Sequence, residues 1–258
     1  MNDFLCNFKP STTKQMQLAI DIGNTQIKSF LFKEDTHLET FSDQLKNWKT
    51  QLGQIIRDYP QINEVIISDV NTTFSEALKT LLLNFKVWHC STDLILPFQT
   101  RYKPKNKLGA DRIALLASCC LHYPGQEVLV IDLGSCITYD YLDAKAVHHG
   151  GAISPGFEMR YRGMHEFSGT LPALNFEYAK QPTAVSTQEA MHAGVYFGIV
   201  YEIEGIIDYY TKKKKNLTVI LTGGAAERLP KPFKNGIFAH SNFLAEGLNY
   251  LLALNQYS

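Results

Sequence analysis

Ile20-Asp21-Ile22-Gly23-Asn24-Thr25, in the first half of the chain, returns in the second half as Ile131-Asp132-Leu133-Gly134-Ser135-Cys136. In both places an apolar run leads into the acid and a β-prone run leaves the turn, so the repeat extends from Leu18 to Phe32 and again from Val128 to Leu142. An aspartate closing a buried strand, followed by glycine and a side chain bearing a hydroxyl or amide, suits a tight turn that grips phosphate. One such hairpin in each half predicts two related α/β lobes with a nucleotide cleft between them.

Composition narrows what such a chain binds. It has 258 residues, enough for one large domain or two smaller ones. Lys plus Arg equals Asp plus Glu at 25 each, so a broad basic face for nucleic acid is not expected. No apolar run is long enough to cross a bilayer, and Met1 to Gln15 lacks the apolar stretch of a secretory leader. The five cysteines are odd in number and lack metal-ligand spacing. A cytoplasmic protein, without membrane or nucleic-acid partners, is the expectation. Residues 1–15 read as an extension, 16–124 as a first lobe and 125–258 as a second. His148-His149 and the run Lys212 to Lys215 read as surface turns.

Strand patterns at Leu18–Ile20, Ile27–Phe32, Glu64–Ser68 and Phe85–Cys90 alternate with helical patterns at Trp48–Arg57 and Phe74–Leu83. Pro97 to Leu108 is a basic, aperiodic loop, and Ala110 to Leu121 follows as a helix. Ser186 and Glu189 form a capping box for a long helix ending near Thr211. Within that helix Ala190, Gly194 and Gly198 recur every four positions, and interior glycine costs about 1 kcal/mol against alanine. Close approach of another helix, from the same lobe or a second subunit, accounts for the stripe. A strand at Leu217–Leu221 and a helix at Leu244–Leu254 complete the pattern.

The chemistry follows from these turns. A carboxylate beside polyphosphate is repulsive unless a cation lies between them. Asp21 and Asp132 are therefore expected to act through a metal or its water, and Mg²⁺ suits one or two carboxylates. Gly23 and Gly134 let backbone N–H groups approach phosphate, while Asn24, Thr25 and Ser135 add side-chain partners. Lys28 either pairs with a terminal phosphate or is an exposed strand lysine. Thr222-Gly223-Gly224, after an apolar strand and before an expected helix, offers flat small-residue packing for adenosine, with Gly223 and Gly224 against the base and ribose. Gly109-Ala110-Asp111-Arg112 opens a helix. Asp111 is either a first-turn cap or the acceptor of a substrate hydroxyl proton, with Arg112 holding an anionic group. A helix N-terminus stabilises carboxylate, so the expected direction of the Asp111 pKa is downward.

These segments, in this order, resemble the type III pantothenate kinases of the actin, sugar kinase and Hsp70 superfamily. The likeness runs from Met16 onward through Asp21–Thr25, Gly109–Arg112, Asp132–Ser135, Gly150–Gly156, Thr170–Pro172 and Thr222–Gly224. It implies two ribonuclease-H-like, actin-like ATPase lobes and transfer of phosphate from ATP, with Mg²⁺, to the primary hydroxyl of pantothenate, the first step of coenzyme A biosynthesis. On the matching positions it implies Asp21 to Lys28 around the ATP phosphates and Asp111 as proton acceptor. It also implies Tyr102, Gly109, Ala110, Asp111, Arg112 and Thr187 against pantothenate, and Ser135 against ATP. Asp132 becomes the ligand of a monovalent cation, K⁺ or NH₄⁺, and the chain a homodimer. Serine at position 135, where the family usually has threonine, keeps the hydroxyl and loses the methyl that fixes its rotamer. Two other readings remain. One is a sugar kinase of the same superfamily, disfavoured because the basic loop suits a carboxylate-bearing substrate. The other is a nucleotide-binding accessory protein without turnover.

Overall fold

The computed structural model describes residues 16–23, 26–44, 46–69, 75–231, 233 and 236–256. The extension at 1–15 and the turn residues Asn24 and Thr25 lie outside them. The chain forms two compact units, 1–90 and 91–258.

In the first unit β1 (Met16–Ile22), β2 (Gln26–Lys33), β3 (Thr36–Gln44), β4 (Ile62–Asp69) and β5 (Lys86–His89) make one sheet in the order β3-β2-β1-β4-β5. β1 pairs antiparallel with β2 and parallel with β4. Helices α1 (Trp48–Asp58) and α2 (Ser75–Leu81) flank it. Leu18, Ile20 and Ile22 alternate along β1 and pack against Trp48, Leu52 and Ile55 of α1, which recur at helical spacing. β3 escapes sequence analysis because its largely exposed residues carry almost no apolar signal.

The second unit repeats that topology. β7 (Glu127–Leu133), β8 (Cys136–Leu142), β9 (Val147–Pro155), β10 (Leu217–Thr222) and β11 (Gly236–Phe238) lie in the order β9-β8-β7-β10-β11, and β6 (Gln99–Thr100) adds to the β9 edge. Antiparallel partners again stand on one side of the central strand and parallel ones on the other. The short sequence repeat therefore reports a duplicated five-stranded topology. α4 (Phe157–Phe167), with no counterpart among the sequence-based elements, and α5 (Thr187–Thr211) contribute Phe157, Tyr161, Ile199 and Ile203 to a core with Leu129, Ile131 and Tyr139. The capping box forms, with Glu189 N–H donating to Ser186 Oγ at 3.3 Å.

Segment 91–124 belongs to the same compact unit as the second sheet. α3 (Ala110–His122) packs on α6 (Phe243–Asn255) and against β7 and β8. The fit with α6 is close: a Cβ on Gly247 would stand 1.9 Å from the Ala114 carbonyl oxygen. Asn255 on α6 binds both backbone groups of Ile95, and β6 pairs with β9. Periodicity identifies α3 but carries no information about which sheet it covers. Among the described residues no helix is long and apolar enough to cross a membrane.

Candidate functional site

In the first unit Asp21 is the half-buried residue before the last of β1, between Lys28 on β2 and Ser68 on β4. Lys28 is half-buried and directly across from Asp21, close enough for cross-strand interaction. Gly23 N–H donates to the Gln26 carbonyl at 3.0 Å and closes the turn.

The equivalent turn of the second unit is one residue shorter. Ile22 pairs with Ile27 across four intervening residues, whereas Leu133 pairs with Ile137 across three. Gly134 N–H donates to the Cys136 carbonyl at 3.0 Å. Thr138 takes the position opposite Asp132 that Lys28 takes opposite Asp21, and Thr222 stands on its other side. Gly223 has φ +93°, and a Cβ there would lie 2.4 Å from Asp132 Oδ1 and 2.6 Å from the Leu133 backbone. A Cβ on Gly156 would lie 2.5 Å from the Gly134 carbonyl oxygen. Ala225 N–H and Gly156 N–H donate to the Leu133 and Ser135 carbonyls, both at 3.0 Å.

Asp132, Gly134, exposed Ser135 and Gly223 are thus gathered at the end of β7, in a cradle that exists because two of its walls lack side chains. The oxygen-rich surroundings fit a hard cation. Gly223→Ala is expected to lower stability by roughly 1–3 kcal/mol, from left-handed backbone and the clash. Thermal unfolding of the variant beside the parent chain would check it. Gly224 meets nothing there, and the segment that follows is a 3₁₀ turn, Ala226–Arg228, instead of an α-helix. That corrects the expected helix N-terminus: a helix of three residues has no macrodipole to offer an anion.

The most tightly built part is the start of α3. Gly109 is its N-cap, and a Cβ there would meet Asp111 Oδ1 at 2.5 Å. Asp111 Oδ1 accepts from Arg112 N–H at 2.8 Å. Burial pushes the Asp111 carboxyl above its ordinary 3.8, against the lowering effects of that hydrogen bond and the Arg112 charge. The direction is opposite to the helix-terminus expectation: Asp111 does lie in the first turn of α3, but desolvation outweighs every lowering effect there.

Buried Arg112 donates through Nε and Nη2 to Asp140 Oδ2 and Oδ1, at 2.8 and 2.6 Å. Asp140 Oδ1 also accepts from His148 Nε2 at 2.7 Å. With that nitrogen donating, His148 Nδ1 accepts the Thr100 hydroxyl proton at 2.9 Å. Tyr102 stacks on His148 at 6.3 Å, and the Arg112 guanidinium lies 5.0 Å over its ring. Burial raises the Asp140 carboxyl, but His148 and Arg112 outweigh it and hold the group below 3.8. Burial likewise works against the Arg112 charge, and Asp140 keeps that pKa above its usual value.

Gly109, Ala110, Asp111 and Arg112 open α3 with Tyr102 under the Arg112 guanidinium, while Thr187 begins α5, exposed. Asp140 and Thr100 were missed, and His148, expected in a surface turn, is fully buried. The signal was present. Asp140 interrupts an apolar strand and Arg112 precedes an apolar helical run, and ionised groups there require each other. The α5 stripe is accounted for only in part: a Cβ on Gly198 would touch Arg160, while one on exposed Gly194 would meet nothing.

The sequence profile described as Type III pantothenate kinase matches residues 17–209. Among relatives, a type III pantothenate kinase of Flavobacterium psychrophilum is 39% identical over 92% of this chain and 98% of its own. Another, of Christiangramia forsetii, is 39% identical over 93% and 99%. A solved structure from Campylobacter jejuni, described as a conserved Baf family transcriptional activator, aligns with TM-score 0.61 at 22% identity over 93% of this chain and 100% of that one. A Listeria monocytogenes protein described as an N-acetylmannosamine kinase aligns with TM-score 0.51 at 11% identity over 94% and 99%. At such identities the likeness is one of fold. The duplicated sheets and their neighbours make the fold that of the actin-like ATPases and sugar kinases, and the chain belongs to the type III pantothenate kinase family, whose members phosphorylate an alcohol group.

Proposed function

We propose that this chain transfers the γ-phosphoryl group of ATP to the primary hydroxyl of pantothenate, with Asp111 receiving the hydroxyl proton. The reading is supported by family membership and by one observation of this chain's own. Asp111 is a half-buried carboxyl of raised pKa, beside a buried guanidinium that Asp140 holds in place and His148 supports through Asp140. As the hydroxyl oxygen bonds to phosphorus, its proton passes to Asp111 and the bond to the bridging oxygen breaks, releasing ADP. The transition state is loose, so Asp111 contributes by orienting the hydroxyl and by taking the proton late. A raised pKa makes it a better acceptor than an ordinary aspartate.

Arg112 is a positioned donor more than a free charge, because Asp140 already neutralises it. The pantothenate carboxylate is then drawn chiefly by exposed Arg101, Lys103, Lys105 and Lys107 of the preceding loop. Tyr102, Gly109, Ala110 and Thr187 line the same substrate. Asp21, Gly23, Asn24, Thr25 and Lys28 take the ATP phosphates, and Ser135, Gly134, Gly223 and Gly224 take the rest of the nucleotide. Mg²⁺ bound with ATP and a monovalent cation at Asp132 would offset phosphate charge, and the oxygen-rich cradle beside Gly223 suits the latter.

The test is an ATP-dependent assay on pantothenate in potassium, ammonium or sodium. Phosphopantothenate should form with K⁺ or NH₄⁺ and fall at least ~10-fold with Na⁺, as oxygen ligands selective for the larger ions require. Equal rates in sodium would remove the cation role of Asp132. Nucleotide binding without product under all three salts would support the accessory reading, and faster turnover on hexoses the sugar-kinase one. A homodimer is also proposed, through the exposed face of α5 at Ala190 and Gly194; a monomer by sedimentation at micromolar concentration would refute it.

A further inference from the structure

A second cluster of metal-ligating side chains stands at the other end of α3. His122 is the last residue of α3, Glu246 lies in the first turn of α6, and His240 precedes that helix. One ligand atom from each falls within 4.8 Å of the others. His122 Nε2 is 2.5 Å and His240 Nε2 3.4 Å from the same Glu246 oxygen, Oε2.

The chemistry of this set is specific. Two imidazoles and one carboxylate are the protein ligands of open zinc sites, which keep a fourth position for water. Bonds of about 2.0–2.1 Å in a tetrahedron place neighbouring donors roughly 3.3 Å apart. The His240–Glu246 separation already matches that edge, and the His122–Glu246 contact reaches it by opening less than 1 Å, as a metal replaces the shared proton. The side chains are partly exposed, at 35% for His122, 23% for Glu246 and 53% for His240, so water can complete the sphere.

One further observation favours a cation here, beyond the Glu246 carboxylate itself, since the negative end of α3 and the positive end of α6 offset each other. The imidazoles are held before any ligand arrives. His122 stacks on Phe243 at 5.6 Å and 28°, His240 meets the same ring edge-on at 6.0 Å and 79°, and the two imidazoles are 5.9 Å apart. Two imidazoles ordered around one phenyl ring lose less freedom on binding than two free ones.

We propose that His122, His240 and Glu246 form a binding site for a zinc-class dication, with water as fourth ligand, that ties the C-terminal end of α3 to the start of α6. The site is separate from Asp111 and Arg112, which occupy the opposite end of α3. Its role is to brace the helix that carries Asp111 and Arg112.

The experiment uses untagged, chelator-treated full-length protein without nucleotide. Zn²⁺ alone is titrated calorimetrically, and Co²⁺ is followed by its visible d–d absorption. One equivalent per chain should bind, thermal unfolding should shift upward with Zn²⁺, and Co²⁺ should give the intense bands of tetrahedral coordination. His240→Ala and Glu246→Gln should each weaken binding at least ~10-fold and abolish the bands, while pantothenate phosphorylation without zinc stays unchanged. His240 is exposed, so its variant folds. Stoichiometric binding that survives His240→Ala, or no saturable binding at high micromolar Zn²⁺, would overturn the proposal and leave the cluster as a hydrogen-bonded tie between helices.

Discussion

Asp111→Asn is expected to lose turnover by at least ~100-fold while remaining as stable at neutral pH as the parent chain, or more so. The two halves of this expectation have one cause. Burial raises the Asp111 pKa above 3.8, so the folded protein holds this proton more tightly than the unfolded chain does. The group's contribution to stability therefore declines as pH rises from below 3.8 through the folded pKa, and the cost of the buried charge is fully in place at neutral pH. Asparagine carries no charge, keeps an oxygen for the Arg112 N–H, and removes that cost. A helix cap would behave differently. Its loss would lower the melting temperature and leave turnover near the parent value, and that pair of results would sink the assignment. Melting curves of both proteins between pH 4 and pH 8, with kcat measured on the same samples, separate the cases. The stability gap should close toward acid pH.

Asp140→Ala is expected to have the largest effect on stability of any single change near the site. Breaking a buried ion pair from one side costs about 3–5 kcal/mol, because the surviving charge stays desolvated. Here the change strands the Arg112 guanidinium and removes the acceptor of His148 together. The melting temperature should fall by on the order of 10 °C for a unit of this size. KM for pantothenate should rise as well, since Arg112 and Tyr102 lose the group that fixes them. Asp140 has a depressed pKa, so its stabilising contribution is present above 3.8 and is lost as pH falls through the folded value. The parent chain should lose this increment below about pH 3.8, and the alanine variant should have none left to lose. A melting temperature within 2 °C of the parent would show that the Arg112–Asp140 pair is energetically idle.

Sequence and structure agree where one local pattern controls the outcome. The acid-glycine hairpins are legible because register, turn and burial are set within about fifteen residues. β1 pairs with β2 and β7 with β8 over nearly the spans that the repeat marks out. The capping box and the long α5 are legible for the same reason. Patterns fail where exposure removes the apolar signal, as in β3, or where a short segment has two possible continuations, as after Gly224. His148 shows a third kind of failure. Paired histidines before paired glycines look like a turn. Pairing of β9 with β8 and β6 instead carries His148 inside, within reach of Asp140 and Thr100.

By itself the sequence determined the duplicated α/β plan, the acid-bearing hairpins around Asp21 and Asp132, and the helix that opens at Gly109–Arg112, because each is a contiguous pattern whose physics acts over a few residues. Only the tertiary structure decided which sheet α3 covers and which acid neutralises Arg112. It alone decided that Asp111 is shifted upward, and that His122, His240 and Glu246 converge. Those outcomes depend on burial and on contacts between residues far apart in the chain, and both arise from packing.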